Sequence, residues 1–249
     1  TPTAKQVSTL DHLTEGRFIF GVGVGGEFPK EYEACGVPLN ERGARLSESL
    51  TVMRKLWTGE PVSHAGKFFT FEDVKMQPPP RQAGGPPIWC GGRADPALRR
   101  IGRMTDGWMS YVVTPDMYRQ GLEKIATAAS EAARTFDRGF GTAHLLFTRI
   151  DDTYEKALDA ATISLSQRYA MDFRKAAQRY CALGPATNVA ECMRAFYTAG
   201  VRHIVLDLLG PYELRQAQIE RVAAEVLPLL TDLTGTDSPA TAQEKQAVE

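Results

Sequence analysis

No apolar run in this chain reaches the roughly 20 residues that span a bilayer, and no basic-then-apolar segment opens it. An excess of one charge is missing too: 29 Lys and Arg stand against 30 Asp and Glu, a formal net charge of −1. That balance gives no electrostatic reason to expect nucleic acid or an anionic membrane as partner. The four cysteines, Cys35, Cys90, Cys181 and Cys192, contain no C-x-x-C pair. The four histidines, His12, His64, His144 and His203, contain no H-x-x-x-H spacing. These absences argue against a disulfide frame and a metal site, and for reduced, mostly packed thiols in a cytoplasmic protein. An initiating Met is also absent. The opening TPTAKQ implies that something was removed or that the chain is part of a longer protein.

What is present is an ordinary globular composition, 43% hydrophobic and 24% charged over 249 residues. That suits one large domain or two small ones. A short helix is expected over residues 3–13, with Val7, Leu10 and Leu13 on its buried face. The continuous apolar run RFIFGVGV reads as a strand covered on both faces. Leu46, Leu50, Met53 and Leu56-Trp57 recur at helical spacing. PVSHAGKFFTF, β-prone on either side of Ala65-Gly66, predicts an antiparallel hairpin insertion near 60–75. Four more apolar strands follow, in PPIWCGG, WMSYVV, AHLLFTRI and HIVLDLL. Helical stripes separate them: Leu98, Ile101 and Met104; Tyr118, Leu122, Ile125, Ala129, Ala132 and Phe136; Leu158, Ala161, Leu165 and Tyr169; Val189, Met193 and Phe196, closed by Gly200. Leu214, Val222 and Val226 mark a last helix, and the small, polar residues from Thr234 on predict a disordered tail. Alternation at this spacing means βα units and a parallel sheet. Either an open doubly wound sheet or part of a (β/α)₈ barrel satisfies it.

Two glycine stretches carry the candidate chemistry. In RFIFGVGVGGEF, Gly21, Gly23 and Gly26 spell G-x-G-x-x-G. A dinucleotide turn needs a preceding strand, a helix opening at the glycines and an acidic residue about twenty positions on. The strand is there, but Pro29 interrupts the helix start and Glu48 falls on a helix. Gly21, Gly23 and Gly25 would instead strip one strand face of side chains, so that another backbone or something flat lies against it. In IWCGGRADPALRR, Gly91-Gly92 lie between a strand and a helix start at Asp95-Pro96, with Asp95 expected as N-cap. Main-chain N–H groups at a helix start, with the dipole, form an anion site that Arg93 would extend. A plain strand-to-helix turn with an exposed arginine is the alternative, and a capping Asp95 would occupy part of the site.

Five stretches in order, AKQVSTLDHLTEGRFIFGVGVGGEF, ERGARLSESLTVMRKLWTG, HAGKFFTFEDVKMQPPP, PPIWCGGRADPALRRIGRMTDGW and AGVRHIVLDL, resemble the bacterial luciferase-like superfamily of flavin- or F420-dependent oxidoreductases. The resemblance implies an α/β fold of (β/α)₈ TIM-barrel type. It supplies only the last five βα units, in a partial barrel domain over 1–233 followed by a disordered tail over 234–249. It implies FMN or F420 as cofactor, Gly91, Gly92, Arg93 and Ala94 at its phosphate, and Gly23 and Gly25 toward its ring or side chain. It implies a small-molecule substrate and a homodimer. Flavin with O₂ would give a monooxygenase, and F420 a dehydrogenase or reductase. The first three barrel strands, which in the family face the ring, have no counterpart here. No catalytic acid or base is therefore named, and Asp207, Glu27 and Asp106 are candidates only in the loose sense. A catalytically silent flavin-binding or scaffold relative is the alternative from another class, and an open-sheet nicotinamide enzyme is a third.

Overall fold

The alternation becomes alternating strands and helices in the computed structural model, which describes residues 1–26, 28–136 and 139–233. The chain divides into two compact units, Thr1–Tyr111 with Gln120–Ala143, and Val112–Arg119 with the residues from His144 on.

In the first unit, Pro2 in the first turn opens α1 (Pro2–Leu13). Its buried face is Ala4, Val7, Ser8 and Asp11, not the expected Val7–Leu10–Leu13 stripe. Leu10 and Leu13 are exposed. The cause is polar: Ser8 Oγ donates to the Pro78 carbonyl at 2.8 Å, and Asp11 accepts the Gln82 main-chain N–H at 2.8 Å and its side-chain amide at 2.7 Å. After the short strand β1 (Phe20–Val22) come α2 (Pro29–Ala34) and α3 (Arg42–Leu56). The stretch around β1 is not covered on both faces, since Gly21 and Ile19 are exposed. The hairpin is present as β2 (Val62–Ala65) and β3 (Thr70–Val74), antiparallel with Ala65 opposite Thr70. Strands β4 (Ile88–Gly91) and β5 (Gly107–Tyr111) flank α4 (Asp95–Met104). β1, β4 and β5 pair parallel, Val22 beside Cys90 and Gly91 beside Met109. Ala4, Val7, Leu50, Met53, Leu56, Trp57 and Ile88 form the core beneath them. Burying these side chains supplies most of this unit's stabilisation, about 1.5–3 kcal/mol for each large one.

Helix α5 (Pro115–Glu131) opens behind Thr114, whose hydroxyl accepts the Met117 N–H at 3.3 Å. It stops before Ala132 and Phe136, which therefore lie beyond it, and Ala133 takes a positive φ of 49°. Strand β6 (Gly141–Ile150) runs from there into the second unit. That unit continues with α6 (Tyr154–Tyr169), α7 (Arg174–Tyr180), β7 (Ala182–Gly184), α8 (Ala186–Thr198), β8 (His203–Leu208) and α9 (Arg215–Arg221). β7 pairs parallel with the end of β6, and β8 also pairs with β6. Among the described residues, β7 raises the strands of the alternating pattern from the expected five to six; Ala-Leu-Gly is too short to register as an apolar run. His144 is buried, stacked 4.1 Å from Phe196, so it is a core histidine, whereas His203 is exposed. Gly200, φ 108°, ends α8 as expected: its N–H reaches Tyr197 and that of Val201 reaches Phe196. Of the last helical stripe, Val222 and Val226 are buried and Leu214 is exposed. The expected tail, 234–249, lies outside the described residues.

Candidate functional site

The parallel register decides where the two glycine stretches go. Val22 sits beside Cys90, so Gly23 and Gly91 follow at the same, C-terminal ends of neighbouring strands. Gly91 in turn sits beside Met109, two residues before Tyr111. In parallel α/β folds this end is where ligands bind.

At these strand ends the surface is bare main chain. A Cβ on Gly21 would meet no atom within 4 Å, and one on Gly23 would meet only the Gly25 nitrogen at 4.0 Å. On Gly91 it would touch the Met109 and Val22 carbonyls at an ordinary 3.8 Å. Packing against a neighbouring strand therefore does not explain Gly21 or Gly23. Gly92 and Gly25 are glycines for a different reason. Gly92 has φ +123°, with a Cβ there only 2.7 Å from that of Ala97; Gly25 has φ +90°, with the Tyr32 hydroxyl where its Cβ would go.

Helix α4 begins without a side-chain cap. Asp95 is not the N-cap. The extended cap conformation belongs to Ala94 (φ −76°, ψ 150°), which has no acceptor to offer, and Asp95 is the first helical residue. Its carboxylate takes a hydrogen bond from Lys124 Nζ at 2.7 Å, and Lys124 holds its pKa below the ordinary value. Ala97 and Leu98 donate to the Ala94 carbonyl, whereas the N–H groups of Arg93, Ala94 and Asp95 have no acceptor among the described residues. Trp108 fixes the turn from beneath, its Nε1 donating to the Gly92 carbonyl at 2.7 Å. The exposed Arg93 lies with its guanidinium 5.4 Å over the Tyr111 ring. Gly23, Gly25, Gly91, Gly92, Arg93 and Ala94 thus belong to one end of the first unit's sheet. Trp108 and Tyr111 were not anticipated; nothing in the local pattern of WMSYVV marks them.

Of the acidic candidates, Asp106 and Asp207 are both engaged by arginines. Asp106 accepts from Arg54 at 2.7 Å, from Arg134 at 2.8 Å and from the Ile88 N–H at 2.9 Å, which makes it a strut between α3, β4 and the residues after α5. Asp207 is gripped by both terminal nitrogens of Arg168, at 2.6 and 3.2 Å, and this bond raises the Arg168 pKa. Glu27 lies outside the described residues.

Residues 1–203 match the family model described as luciferase-like monooxygenase. The chain belongs to that family. Among its curated relatives, a phthiodiolone/phenolphthiodiolone dimycocerosates ketoreductase of Mycobacterium kansasii is 34% identical over 169 residues. The match covers 66% of this chain and 46% of the relative, so the chain spans less than half that protein's length. Two solved members share the fold. The coenzyme F420-dependent tetrahydromethanopterin reductase of Methanopyrus kandleri superposes with TM-score 0.71 at 20% identity, covering 91% of this chain and 78% of its own. The FMN complex of the oxygenating constituent of 3,6-diketocamphane monooxygenase, from Pseudomonas putida, gives 0.66 at 22% identity, covering 92% and 75%. This luciferase-like chain is therefore α/β with parallel strands of the TIM-barrel type, as its sequence led one to expect. Among the described residues no helix is long and apolar enough to cross a membrane.

Proposed function

We propose that this chain provides the cofactor-holding strand ends of a luciferase-like oxidoreductase that uses FMN or F420 and passes a hydride to or from a small organic substrate. One observation carries the reading: the uncapped start of α4, with the Arg93, Ala94 and Asp95 N–H groups unmatched and Arg93 alongside, at the strand ends where Gly21 and Gly23 are bare of side chains. The residues fit a flat ring with an anionic tail. The amides and the guanidinium suit a phosphate, and the glycine main chain lets a planar group approach closely. The relatives named as an F420-dependent reductase and an FMN complex support the choice of cofactor, and the relative named as a ketoreductase supports hydride transfer.

When bound, either cofactor supplies the hydride chemistry from its tricyclic ring. The chain's own part is to hold and orient. Gly91, Gly92, Arg93 and Ala94 bind the phosphate, with the helix dipole adding to the guanidinium charge. Gly23 and Gly25 offer main chain to the ring. Trp108, donating to the Gly92 carbonyl, holds the turn that carries the following N–H groups. Asp95, engaged by Lys124, leaves those N–H groups uncontested.

A second reading, binding without turnover, is favoured by the engagement of Asp106 and Asp207, the acidic candidates, in arginine pairs. Fluorescence titration with FMN and with F420 tests the main reading. Saturable binding of one of them is expected. Arg93→Ala is expected to raise its dissociation constant by about 1–3 kcal/mol, the worth of a lost charge-assisted bond. An unchanged constant removes Arg93 from the site, and binding of neither cofactor overturns the reading. Binding with no hydride transfer to any ketone or alcohol tested supports the silent alternative.

A further inference from the structure

The glycine segment after β1 has no regular secondary structure to hold it, yet two side chains from outside it grip its main chain. Tyr32, on α2, shares its hydroxyl proton between the Val24 carbonyl at 2.8 Å and the Gly26 carbonyl at 3.0 Å. Arg42, at the start of α3, donates from Nη1 to the same Gly26 carbonyl at 3.3 Å and to the Tyr32 hydroxyl at 3.4 Å. Its guanidinium also lies 5.6 Å over the Tyr32 ring. Gly25, between the two carbonyls, is left-handed and leans so closely on the Tyr32 hydroxyl that no side chain fits there. Elements from two later parts of the chain therefore converge on three consecutive residues, and the carbonyls of Val24 and Gly26 are drawn toward Tyr32. Earlier in the same run, at Gly21 and Gly23, a Cβ would meet nothing closer than 4.0 Å.

We infer that Tyr32, braced by Arg42, is a positioning residue that sets the Gly23–Gly26 main chain against the ring of the cofactor. The inference rests on the proposed function, since it assumes that Gly23 and Gly25 face that ring. It assigns to the two glycine stretches separate parts of one ligand: the segment held by Tyr32 recognises the tricycle, and the α4 start recognises the phosphate. Without the hydroxyl, the left-handed turn at Gly25 loses its cross-brace and the segment samples other conformations. Ring binding then carries the cost of ordering it.

Paired ligands separate the two parts. Four titrations are made with the whole chain, using FMN, riboflavin, F420 and the phosphate-free deazaflavin core of F420. Tyr32→Phe keeps the ring and removes the two carbonyl bonds. It is expected to weaken the phosphate-bearing and phosphate-free members of the bound pair by the same factor, about threefold to tenfold for a net hydrogen bond. The thermal midpoint should fall by no more than the few degrees that one net hydrogen bond is worth. Arg93→Ala is expected to weaken the phosphate-bearing member alone. Arg42→Met, which removes the brace without touching Tyr32, should follow Tyr32→Phe with a smaller factor. A merely structural tyrosine would shift the midpoint and leave the folded protein's affinity for both members of the pair unchanged. Wild-type binding that Tyr32→Phe and Arg42→Met both leave unchanged, or weaken only for the phosphate-bearing ligand, overturns this inference and leaves the proposed function standing. Wild-type protein that binds none of the four ligands overturns both.

Discussion

Helices α4 and α6 both follow a parallel strand, and they begin in opposite ways. At α6 the N-cap is Thr153, whose hydroxyl accepts the Lys156 N–H at 3.3 Å. At α4 the N-cap is Ala94, and Asp95, the first helical residue, is turned to Lys124. A set of hairpin amides sharpens the contrast. In the hairpin turn, the N–H groups of Lys67, Phe68 and Phe69 converge on the Glu48 carboxylate at 2.9–3.2 Å. The chain thus answers the hairpin amides and the Lys156 N–H of α6 with its own side-chain oxygens, whereas no side-chain oxygen among the described residues meets the Arg93, Ala94 and Asp95 N–H groups. Unpaired N–H groups at a helix start cost stability that a threonine would restore. An uncapped start is shared by α1, α2, α3, α7, α8 and α9, and what sets α4 apart is the Gly91-Gly92 turn and Arg93 beside it, the arrangement proposed here to take an outside anion.

Substitutions can break that contrast from either side. The largest effect is expected at Gly92→Val. A φ of +123° and the Ala97 Cβ leave no room for a side chain, so a loss of about 2–4 kcal/mol should appear in denaturant unfolding whether or not cofactor is present. Giving α4 the cap that α6 has, by Ala94→Asp, should raise stability without ligand by about 1 kcal/mol and weaken FMN or F420 binding at least tenfold, because the carboxylate takes the amides and repels the phosphate. Removing the cap from α6, by Thr153→Ala, should cost about 1 kcal/mol of stability and leave cofactor affinity untouched. Equal effects of these two substitutions on affinity would erase the distinction between the helix starts.

The smallest effect concerns the hairpin and depends on pH. Burial opposes ionisation of Glu48, but the Phe68 and Phe69 N–H groups and His64 outweigh it and hold its pKa below the ordinary 4.5. A carboxylate depressed in this way stabilises the fold fully above its unfolded pKa, and that contribution disappears as pH falls through the lower folded value. Protection of the Phe68 and Phe69 amides against exchange, relative to the intrinsic rate at each pH, should therefore fall only as pH drops below 4.5. In Glu48→Gln that protection should be lower at neutral pH and less dependent on pH below 4.5.

The parts of this arrangement that depend on local pattern were legible in the sequence. The hairpin around Ala65-Gly66, the stripes of α3 and α6, the Gly200 ending of α8 and the strand-glycine-helix order around Gly91-Gly92 all follow from periodicity and turn chemistry. The features set by distant partners were not. Ser8 and Asp11 are buried on α1 because residues some 70 positions on supply their bonds, which turns Leu10 and Leu13 outward. Asp95 looks like a cap until Lys124, 29 positions away, takes its carboxylate. β7 is too short to carry a pattern of its own. The Tyr32–Arg42 grip depends on a left-handed glycine and two long side chains meeting in space, which no spacing rule encodes.

An NMR titration of the backbone amides with FMN and with F420 tests the central claim most directly. The account predicts that the bound cofactor shifts the amide signals of Arg93, Ala94 and Asp95 together with those of Gly21 and Gly23, while Lys156 at the capped start of α6 stays put. Saturation by either cofactor with the Arg93–Asp95 signals unmoved would contradict it.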